Sequence, residues 1–212
     1  AAGLQCGDLI ESVGGASVLE MGYNEAVDAL LGEAGTNAEF TVLRDGQSIP
    51  FSVTRNTFEV QTVTWRTLDS GYACVRIEEF DMKTYDQFIA VLNEILAQDV
   101  PGIVFDLRDN AGENLNAGLV AADYCVPSGE IAKQQDKDGN VTVLRMSDEN
   151  EINVPMVCLV NGATSSSAEL FANALRKMGG ATIVGTKTAG MGVVLSDVQS
   201  FSDGSAAYIT SG

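Results

Sequence analysis

Three consecutive serines, Ser165, Ser166 and Ser167, follow an apolar segment and precede a helix-forming one, in a chain that contains no histidine. A serine hydroxyl at the amino end of a helix lies beside backbone amides that can stabilise an oxyanion, which is a common way to build a nucleophilic site. The absence of histidine excludes a Ser-His-Asp triad, and lysine is the usual substitute base. The chain has five lysines. The alternative interpretation is that the serines only cap the helix.

The elements that must position these serines alternate between strands and helices. Continuous apolar runs predict buried strands, and apolar residues at intervals of three and four predict amphipathic helices. The expected strands are residues 71–77, 101–107, 141–146, 156–160 and 182–184, the expected helices are residues 84–98, 115–125 and 166–178, and a hairpin is expected around Asp203 and Gly204. This alternation favours an α/β core.

Residues 1–57 form a separate unit in this interpretation. A strand from Asp8, a Gly14-Gly15 hairpin, a helix over residues 23–31, and strands at 38–43 and 48–54 follow one another. This order, with the motifs AGL..GD.I..V.G..V, EAV..L and TVLRDG, resembles the last two thirds of a PDZ domain. The first strand and the loop whose amides hold a peptide carboxylate have no counterpart. We therefore expect a partial PDZ-like domain at residues 1–57, lacking its first strand, and a second domain at residues 58–212.

Composition limits the classes of function. The 212 residues carry a formal net charge of −17 and a pI near 4.1, which argues against nucleic acid and anionic membrane surfaces because both select basic patches. We interpret the acidic surface as a solubility feature, the alternative being selection of basic substrates. No apolar run approaches the ~18 residues of a membrane span.

The four cysteines are far apart in the sequence, at Cys6, Cys74, Cys125 and Cys158. We expect them to be free thiols, with a disulfide and a metal site as the alternatives.

The second domain resembles the catalytic domain of the C-terminal processing peptidases, also called tail-specific proteases. Five motifs match the family pattern in order. Residues 71–80 (GYACVRIEEF) resemble GYIRI..F, residues 102–112 (GIVFDLRDNAG) resemble GLILDLRNNPGG, residues 161–170 (NGATSSSAEL) resemble N..SASASEI, residues 185–192 (GTKTAGMG) resemble GEKTFGKG, and residues 203–206 (DGSA) resemble DGSAL. The resemblance implies a ClpP/crotonase-like α/β serine-peptidase domain after the PDZ-like unit.

The resemblance also implies a role for the serines. The family's nucleophile falls on Ser166, with Ser165 and Ser167 as alternatives of register. The backbone N–H of Ser167 and the backbone of Gly112 are then the expected oxyanion donors. In the turn at Gly112, Glu113 stands where the family has a second glycine. Its side chain narrows that side of the site or adds a negative charge to it.

The family's general base is missing from its expected position. The family's lysine stands 25 residues after the serine, where this chain has Met191, and the supporting glutamine falls on Leu195. A methionine fills the space of a lysine stem but carries no proton acceptor. Lys187 is the only lysine nearby in sequence and is a candidate substitute base, although family members often carry a lysine there too, which favours a structural or surface role.

Charged residues follow the strand expected at 101–107. Asp106, Arg108 and Asp109 form either a substrate-facing pocket or, in the interpretation that we prefer, an ion pair that organises the turn.

We therefore expect a serine-type endopeptidase of the C-terminal processing family, acting on peptide or unfolded-protein C-terminal tails, with catalysis impaired by Met191 and Leu195. A non-catalytic peptide-binding pseudopeptidase is the alternative, and an active peptidase that uses Lys187 is the third hypothesis. The resemblance implies no metal, cofactor or nucleic acid and leaves the oligomeric state open. It also implies an exported protein of the bacterial cell envelope or extracellular space, although no signal or membrane segment is visible in the sequence.

Overall fold

The structure is a computed structural model that describes residues 3–148, 152–195, 198–210 and 212. The chain divides into two compact units, Ala1–Val60 and Gln61–Gly212, and the sequence predicts a boundary after residue 57. Each unit has its own buried apolar cluster. No helix among the described residues combines the length and the apolarity needed to cross a bilayer.

The first unit is an antiparallel sheet with two short helices. Its elements are β1 (Leu9–Val13), β2 (Ala16–Ser17), α1 (Val18–Met21), α2 (Tyr23–Leu30), β3 (Asn37–Arg44) and β4 (Gln47–Thr54). The strands are ordered β2-β1-β3-β4. The expected Gly14-Gly15 hairpin joins β1 to β2, with Val13 paired to Ala16. The buried cluster consists of Val13, Ala38, Phe40 and Val42.

The second unit is built on a five-stranded sheet. Its elements are β5 (Val63–Thr67), β6 (Ala73–Ile77), α3 (Thr84–Leu96), β7 (Ile103–Asp106), α4 (Leu115–Asp123), β8 (Gly129–Gln135), β9 (Val141–Ser147), β10 (Met156–Val160), α5 (Ser167–Lys177), β11 (Thr182–Gly185), β12 (Gln199–Ser200) and β13 (Ala206–Ala207). The sheet has the order β11-β10-β7-β6-β5. Its first four strands run parallel, and β5 pairs antiparallel with β6. Strands β8 and β9 form one hairpin, and β12 and β13 form another.

Aromatic packing fixes α5 against this sheet. The ring of Phe171, on α5, has its centroid 5.4 Å from the ring of Phe105 on β7 and 5.7 Å from the ring of Phe88 on α3. All three side chains are fully buried, and both contacts are edge-on, the geometry that aromatic pairs prefer. The amino end of α5, where the serines lie, therefore has a fixed position relative to the sheet.

Helix α4 packs closely on the first turn of α5. A Cβ atom on Gly118 would lie 2.8 Å from the Cβ of Ser167 and 2.9 Å from its carbonyl oxygen. Asn114 caps helix α4, because its side-chain oxygen accepts a hydrogen bond from the N–H of Ala117 at 2.9 Å. The missing side chain at Gly118 allows the two helices to approach this closely.

The predicted α/β class is confirmed, since parallel strands alternate with helices along the second unit. Two strands were not predicted. Strand β5 reads VTWRT and buries only Val63 fully, because it is the outer strand of the sheet. Strand β8 reads GEIAKQQ, a composition with little β propensity, and it exists through pairing with β9.

Candidate active site

The turn between β10 and α5 is held against the end of β7. The Thr164 hydroxyl donates a hydrogen bond to the Leu107 carbonyl oxygen at 2.8 Å, and the Ser165 N–H donates to the Asn110 carbonyl oxygen at 3.0 Å. Asn110 is buried, and its side-chain amide donates to the Ile77 carbonyl oxygen at 3.0 Å. These bonds hold the serines at the carboxyl edge of the parallel strands, where α/β proteins generally bind ligands.

Ser166 has a strained backbone. Its φ of 53° and ψ of −124° lie in a region that residues other than glycine rarely adopt. Among the three serines, only Ser166 has a positive φ. A sharp strand-to-helix turn of this kind exposes the nucleophile of other hydrolases. This geometry distinguishes Ser166 from Ser165 and Ser167.

The two expected oxyanion donors flank Ser166 but differ in availability. Ser167 is the first residue of α5, and no described residue accepts a hydrogen bond from its N–H. A Cβ atom on Gly112 would fall 2.8 Å from the Cβ of Ser166 and 2.8 Å from the Ser167 nitrogen, so only glycine fits there. The Gly112 N–H, however, donates to Oδ1 of Asn110 at 2.8 Å. The Ser167 N–H is thus the donor that is free in this structure.

Glu169 links the turn at Ser166 to the loop that carries Met191. Its carboxylate accepts hydrogen bonds from the N–H of Ser166 at 2.9 Å, the hydroxyl of Thr188 at 2.6 Å, and the N–H groups of Gly190 at 2.8 Å and Met191 at 2.9 Å. Burial by itself would raise the pKa of Glu169, but these hydrogen bonds outweigh it, and the pKa is lowered. One oxygen, Oε2, accepts from both Ser166 and Met191, which brings positions 166 and 191 together.

A cavity of about 610 Å³ opens beside Ser166. Met191 and Leu195 line it together with Ser166, and their side chains are 49 % and 48 % exposed. The structure therefore brings together the three positions that the family pattern assigns to serine, lysine and glutamine. Further apolar side chains of this cavity include Leu115, Leu144, Leu170 and Val193.

Glu113 keeps a glycine-like backbone at the edge of this cavity. Its φ is 79°, and its side chain lines the cavity. The backbone on either side is fixed by Phe80, whose N–H donates to the Gly112 carbonyl at 2.9 Å and whose carbonyl accepts from the Asn114 N–H at 2.9 Å. The carboxylate of Glu113 thus places a negative charge where the family pattern has no side chain.

Lys133, and not the expected Lys187, lies at the cavity beside Ser166. Lys187, the candidate substitute base, is exposed and is not among the residues that line the cavity. Lys133 of β8 does line it, and its amine is ion-paired with the carboxylate of Glu130. Sequence reasoning missed Lys133 because β8 was not predicted and because no local motif marks this residue.

The charged cluster after β7 belongs to a different cavity. Arg108 donates two hydrogen bonds to the Asp106 carboxylate, at 2.8 and 2.6 Å, and Arg76 donates one at 3.2 Å. The hydrogen bonds from Arg108 lower the pKa of Asp106. These residues line a cavity of about 530 Å³ that does not include Ser166. The preferred interpretation, an ion pair that organises the turn, agrees with this geometry.

The described cysteine and acidic side chains are dispersed over the chain. No group of three or more histidine, cysteine, aspartate or glutamate side chains in the described part of the chain is arranged to hold a metal ion. All four cysteines are free; Cys125 and Cys158 are buried, and Cys6 is exposed. Burial raises the pKa of Cys158 to about 12, which keeps this thiol protonated and inert.

Comparison with known sequences identifies the family of the chain. The family model described as Peptidase family S41 matches residues 71–212, and a PDZ domain model matches residues 1–44. The carboxy-terminal processing protease CtpA of Bacillus subtilis is 29% identical over 211 residues, which is 99% of this chain and 45% of the relative. The carboxy-terminal-processing protease of Bartonella bacilliformis is 32% identical over 91% of this chain and 46% of the relative.

Solved structures share the fold. The photosystem II D1 C-terminal processing protease superposes with a TM-score of 0.64 and 28% identity, covering 99% of this chain and 58% of that protein. A lipoprotein from Streptococcus agalactiae shares the fold over 71% of this chain and 58% of its own, with a TM-score of 0.59 and 22% identity. The chain spans about half the length of the curated relatives that it matches. It belongs to peptidase family S41, the family of the C-terminal processing serine proteases.

Proposed function

We propose that the chain is the peptidase portion of a C-terminal processing protease homologue in which Ser166 occupies the nucleophile position and catalysis is strongly impaired. The observation that carries the proposal is that Met191 and Leu195 line the cavity beside Ser166. Neither side chain can take a proton from the serine hydroxyl. An unactivated serine is a weak nucleophile at neutral pH, and general-base assistance contributes typically ~10²–10⁴ in rate.

The bonding of Glu169 supports the assignment of position 191 to the lost base. Its carboxylate binds the main-chain N–H of Met191, a contact that does not depend on the side chain at that position. A lysine at position 191 would start from the same backbone position near Ser166. The leucine at position 195 is consistent with this assignment. Without a lysine amine at position 191, the side-chain amide of a glutamine at position 195 would have only water as a hydrogen-bond partner.

The oxyanion hole adds to the impairment. The N–H of Ser167 is free to bind an oxyanion, whereas the N–H of Gly112 is held by the side chain of Asn110. Removal of one oxyanion donor costs roughly 10²–10³ in rate in other hydrolases. A bound carbonyl group would have to draw the Gly112 N–H away from Asn110 before the second donor could act.

Restoration of the two side chains tests the proposal. The turnover of an unstructured peptide with an apolar C-terminus is compared for the natural chain, for Met191→Lys/Leu195→Gln, and for that double variant with Ser166→Ala. We expect cleavage by the double variant alone. The matched control, Met191→Leu/Leu195→Gln, supplies the amide without the amine and should remain inactive. Cleavage by the natural chain at the rate of the double variant would contradict the proposal.

A peptide-binding pseudopeptidase is the second candidate. The apolar cavity of about 610 Å³ beside Ser166 favours it, because a protein that binds a polypeptide without cutting it needs the cavity but not the base. The ligands that we propose are the C-terminal segments of peptides or unfolded proteins, in line with the names of the relatives. Saturable binding of the same peptide by the natural chain, without turnover, would support this function.

An active peptidase with a different base is the remaining candidate. Lys133, which lines the cavity, and Lys187 are the amines to test. If the natural chain cleaves the peptide in a reaction that Ser166→Ala abolishes, the comparison of Lys133→Ala with Lys187→Ala shows which amine is required. Full activity in both variants would exclude both lysines as the base.

Two broader assignments complete the proposal. Residues 1–57 correspond to a PDZ-like domain, a proposal that the match of a PDZ model to residues 1–44 supports. The full-length protein is exported to the bacterial cell envelope, as the relationship to bacterial processing proteases suggests. Immunodetection of the full-length protein in envelope and cytosolic fractions tests the second assignment.

A further inference from the structure

The cavity beside Ser166 carries an uncompensated negative charge. Of the described residues, two charged ones line it, Glu113 and Lys133. The amine of Lys133 is ion-paired with the carboxylate of Glu130, so this pair adds no net charge. Within the same described part of the chain, the exposed carboxylate of Glu113 has no ion-pair or hydrogen-bond partner. The charge that a bound polypeptide meets in the cavity is therefore that of Glu113.

The main chain places Glu113 at the serine end of the cavity. Its neighbour Gly112 packs so closely on Ser166 that a Cβ atom on the glycine would lie 2.8 Å from the Cβ of the serine. The N–H and the carbonyl oxygen of Phe80 bind the main chain on both sides of residue 113, each at 2.9 Å. The origin of the Glu113 side chain is thus fixed one residue away from the contact with Ser166.

The backbone at Glu113 is strained. Its φ of 79° lies in the region that glycine adopts freely and that other residues rarely adopt. A glycine at this position would avoid the strain, and what the glutamate adds is a side chain that lines the cavity. Strain of this kind occurs most often at functional sites. We therefore looked for a function of the carboxylate.

A neighbouring carboxyl group responds to the charge of Glu113. Burial raises the pKa of the half-buried Glu79, and repulsion by the Glu113 carboxylate raises it further. The surroundings therefore add to the negative field of Glu113 and do not neutralise it. A cationic group that enters the cavity is attracted by this field, whereas an anionic group is repelled.

We propose that Glu113 makes the cavity selective for a polypeptide that places an arginine or lysine side chain beside Ser166. The inference rests on the proposed function, because the polypeptide is the one that the site binds in that function. Leu115 and Leu170 line the same cavity and provide apolar surface for the aliphatic stem, as is usual for long cationic side chains. In other serine peptidases, a single carboxylate in a substrate pocket sets a preference of this kind.

Pairs of peptides that differ in one charge test the inference. An unstructured fluorescent peptide with an apolar C-terminus carries arginine at one position, which is moved along the sequence. Its partner carries citrulline, which has nearly the same shape and no charge. The full chain with Ser166→Ala binds each peptide, so that turnover does not interfere, and affinity is read from fluorescence anisotropy. At one peptide position we expect arginine to bind about tenfold more tightly than citrulline, the effect of one hydrogen bond between charged groups. The preference should shrink at high salt.

Variants of residue 113 assign the preference to its carboxylate. In the Ser166→Ala background, Glu113→Gln removes the charge at nearly constant shape, and Glu113→Gly removes the side chain together with the backbone strain. Both should bind the arginine and citrulline peptides equally. Glu113→Lys should instead favour a peptide with glutamate at that position. The matched control, Asp69→Asn, removes one charge from an exposed turn that does not line the cavity, and it should keep the preference for arginine.

The outcomes separate this inference from the proposed function. Equal affinity for arginine and citrulline at every peptide position would overturn the selectivity and leave the proposed function standing. The same holds for a preference that persists in both Glu113→Gln and Glu113→Gly, because another acidic group would then be its cause. Failure of every peptide to bind would overturn both.

Discussion

Glu169 organises the site through main-chain groups. Three of its four hydrogen-bond donors are backbone N–H groups, those of Ser166, Gly190 and Met191. The fourth is the hydroxyl of Thr188. A carboxylate near a helix amino end is also favoured by the helix dipole. The carboxylate therefore ties the start of α5 to the loop after β11.

Removal of this carboxylate should destabilise the second unit. We expect Glu169→Ala to lower the free energy of unfolding by about 1.5–3 kcal/mol, the range for hydrogen bonds to a charged group. Glu169→Gln, which keeps one acceptor oxygen, should cost less. Urea unfolding at neutral pH measures the free energy of unfolding of both variants. Equal stability of Glu169→Ala and the natural chain would show that the loop is held by other contacts.

The same residue should give a defined pH dependence. Because the pKa of Glu169 is lowered from its ordinary value of 4.5, its charge stabilises the folded state fully above that value, and the contribution is lost as the pH falls through the lowered pKa. We expect the stability difference between the natural chain and Glu169→Gln to be constant above pH 4.5 and to shrink in acid. A difference that persists in strong acid would contradict a role for the ionised carboxylate.

Ser167 carries a buried hydroxyl that finds no partner. Its Oγ is the described buried side-chain atom that lacks a hydrogen bond. Leaving such a group unsatisfied costs about 1–3 kcal/mol, so Ser167→Ala should raise the midpoint of thermal unfolding. The N–H of residue 167 remains in place. Ser165→Ala, at a half-buried neighbour, is the control and should have a smaller effect. A lower midpoint of thermal unfolding for Ser167→Ala would show that the Ser167 hydroxyl has a hydrogen-bond partner.

At the scale of elements, the contact between α4 and α5 determines where the serine turn can lie. A helical glycine replaced by alanine usually gains stability. At Gly118 we expect the opposite, a loss of about 1–3 kcal/mol from overpacking, because the new Cβ would lie 2.8 Å from the Cβ of Ser167. Calorimetric unfolding measures this loss of stability. Asn116→Ala, on the exposed side of α4, is the control. A stabilised Gly118→Ala would mean that the helices separate freely.

The sequence predicts those elements whose burial follows a period. Helix α3 buries Phe88, Leu92 and Ile95 on one face, and this spacing is visible without a structure. Strand β8 has no such signal, because polar side chains alternate with half-buried ones and only pairing with β9 makes it a strand. Lys133 lies on this unpredicted strand, so its place in the site was not predicted either.

The site itself is predicted in part. The order of motifs assigns Ser166, Met191 and Leu195, and the structure brings the three into one cavity. The strain at Ser166 and the bond between Gly112 and Asn110 cannot be read from the sequence, because backbone angles and side-chain orientation depend on the packed surroundings.

For the whole molecule, the division into two units predicts two unfolding steps. The buried cluster of the first unit contains four residues, and the cluster of the second unit is much larger, so the first unit should be the less stable. The single tryptophan, Trp65, reports only on the second unit. We expect circular dichroism to change at lower urea concentration than tryptophan fluorescence. Coincident transitions would contradict independent unfolding.

The way in which Glu169 holds position 191 has an evolutionary consequence. Every amino acid except proline supplies the N–H that this carboxylate binds, so the path of the loop does not depend on which side chain stands at position 191. A lineage can therefore lose the reaction while selection for solubility and abundance continues to preserve the architecture. The reverse change is equally accessible, and descendants of an inactive ancestor can regain the chemistry without passing through a misfolded intermediate.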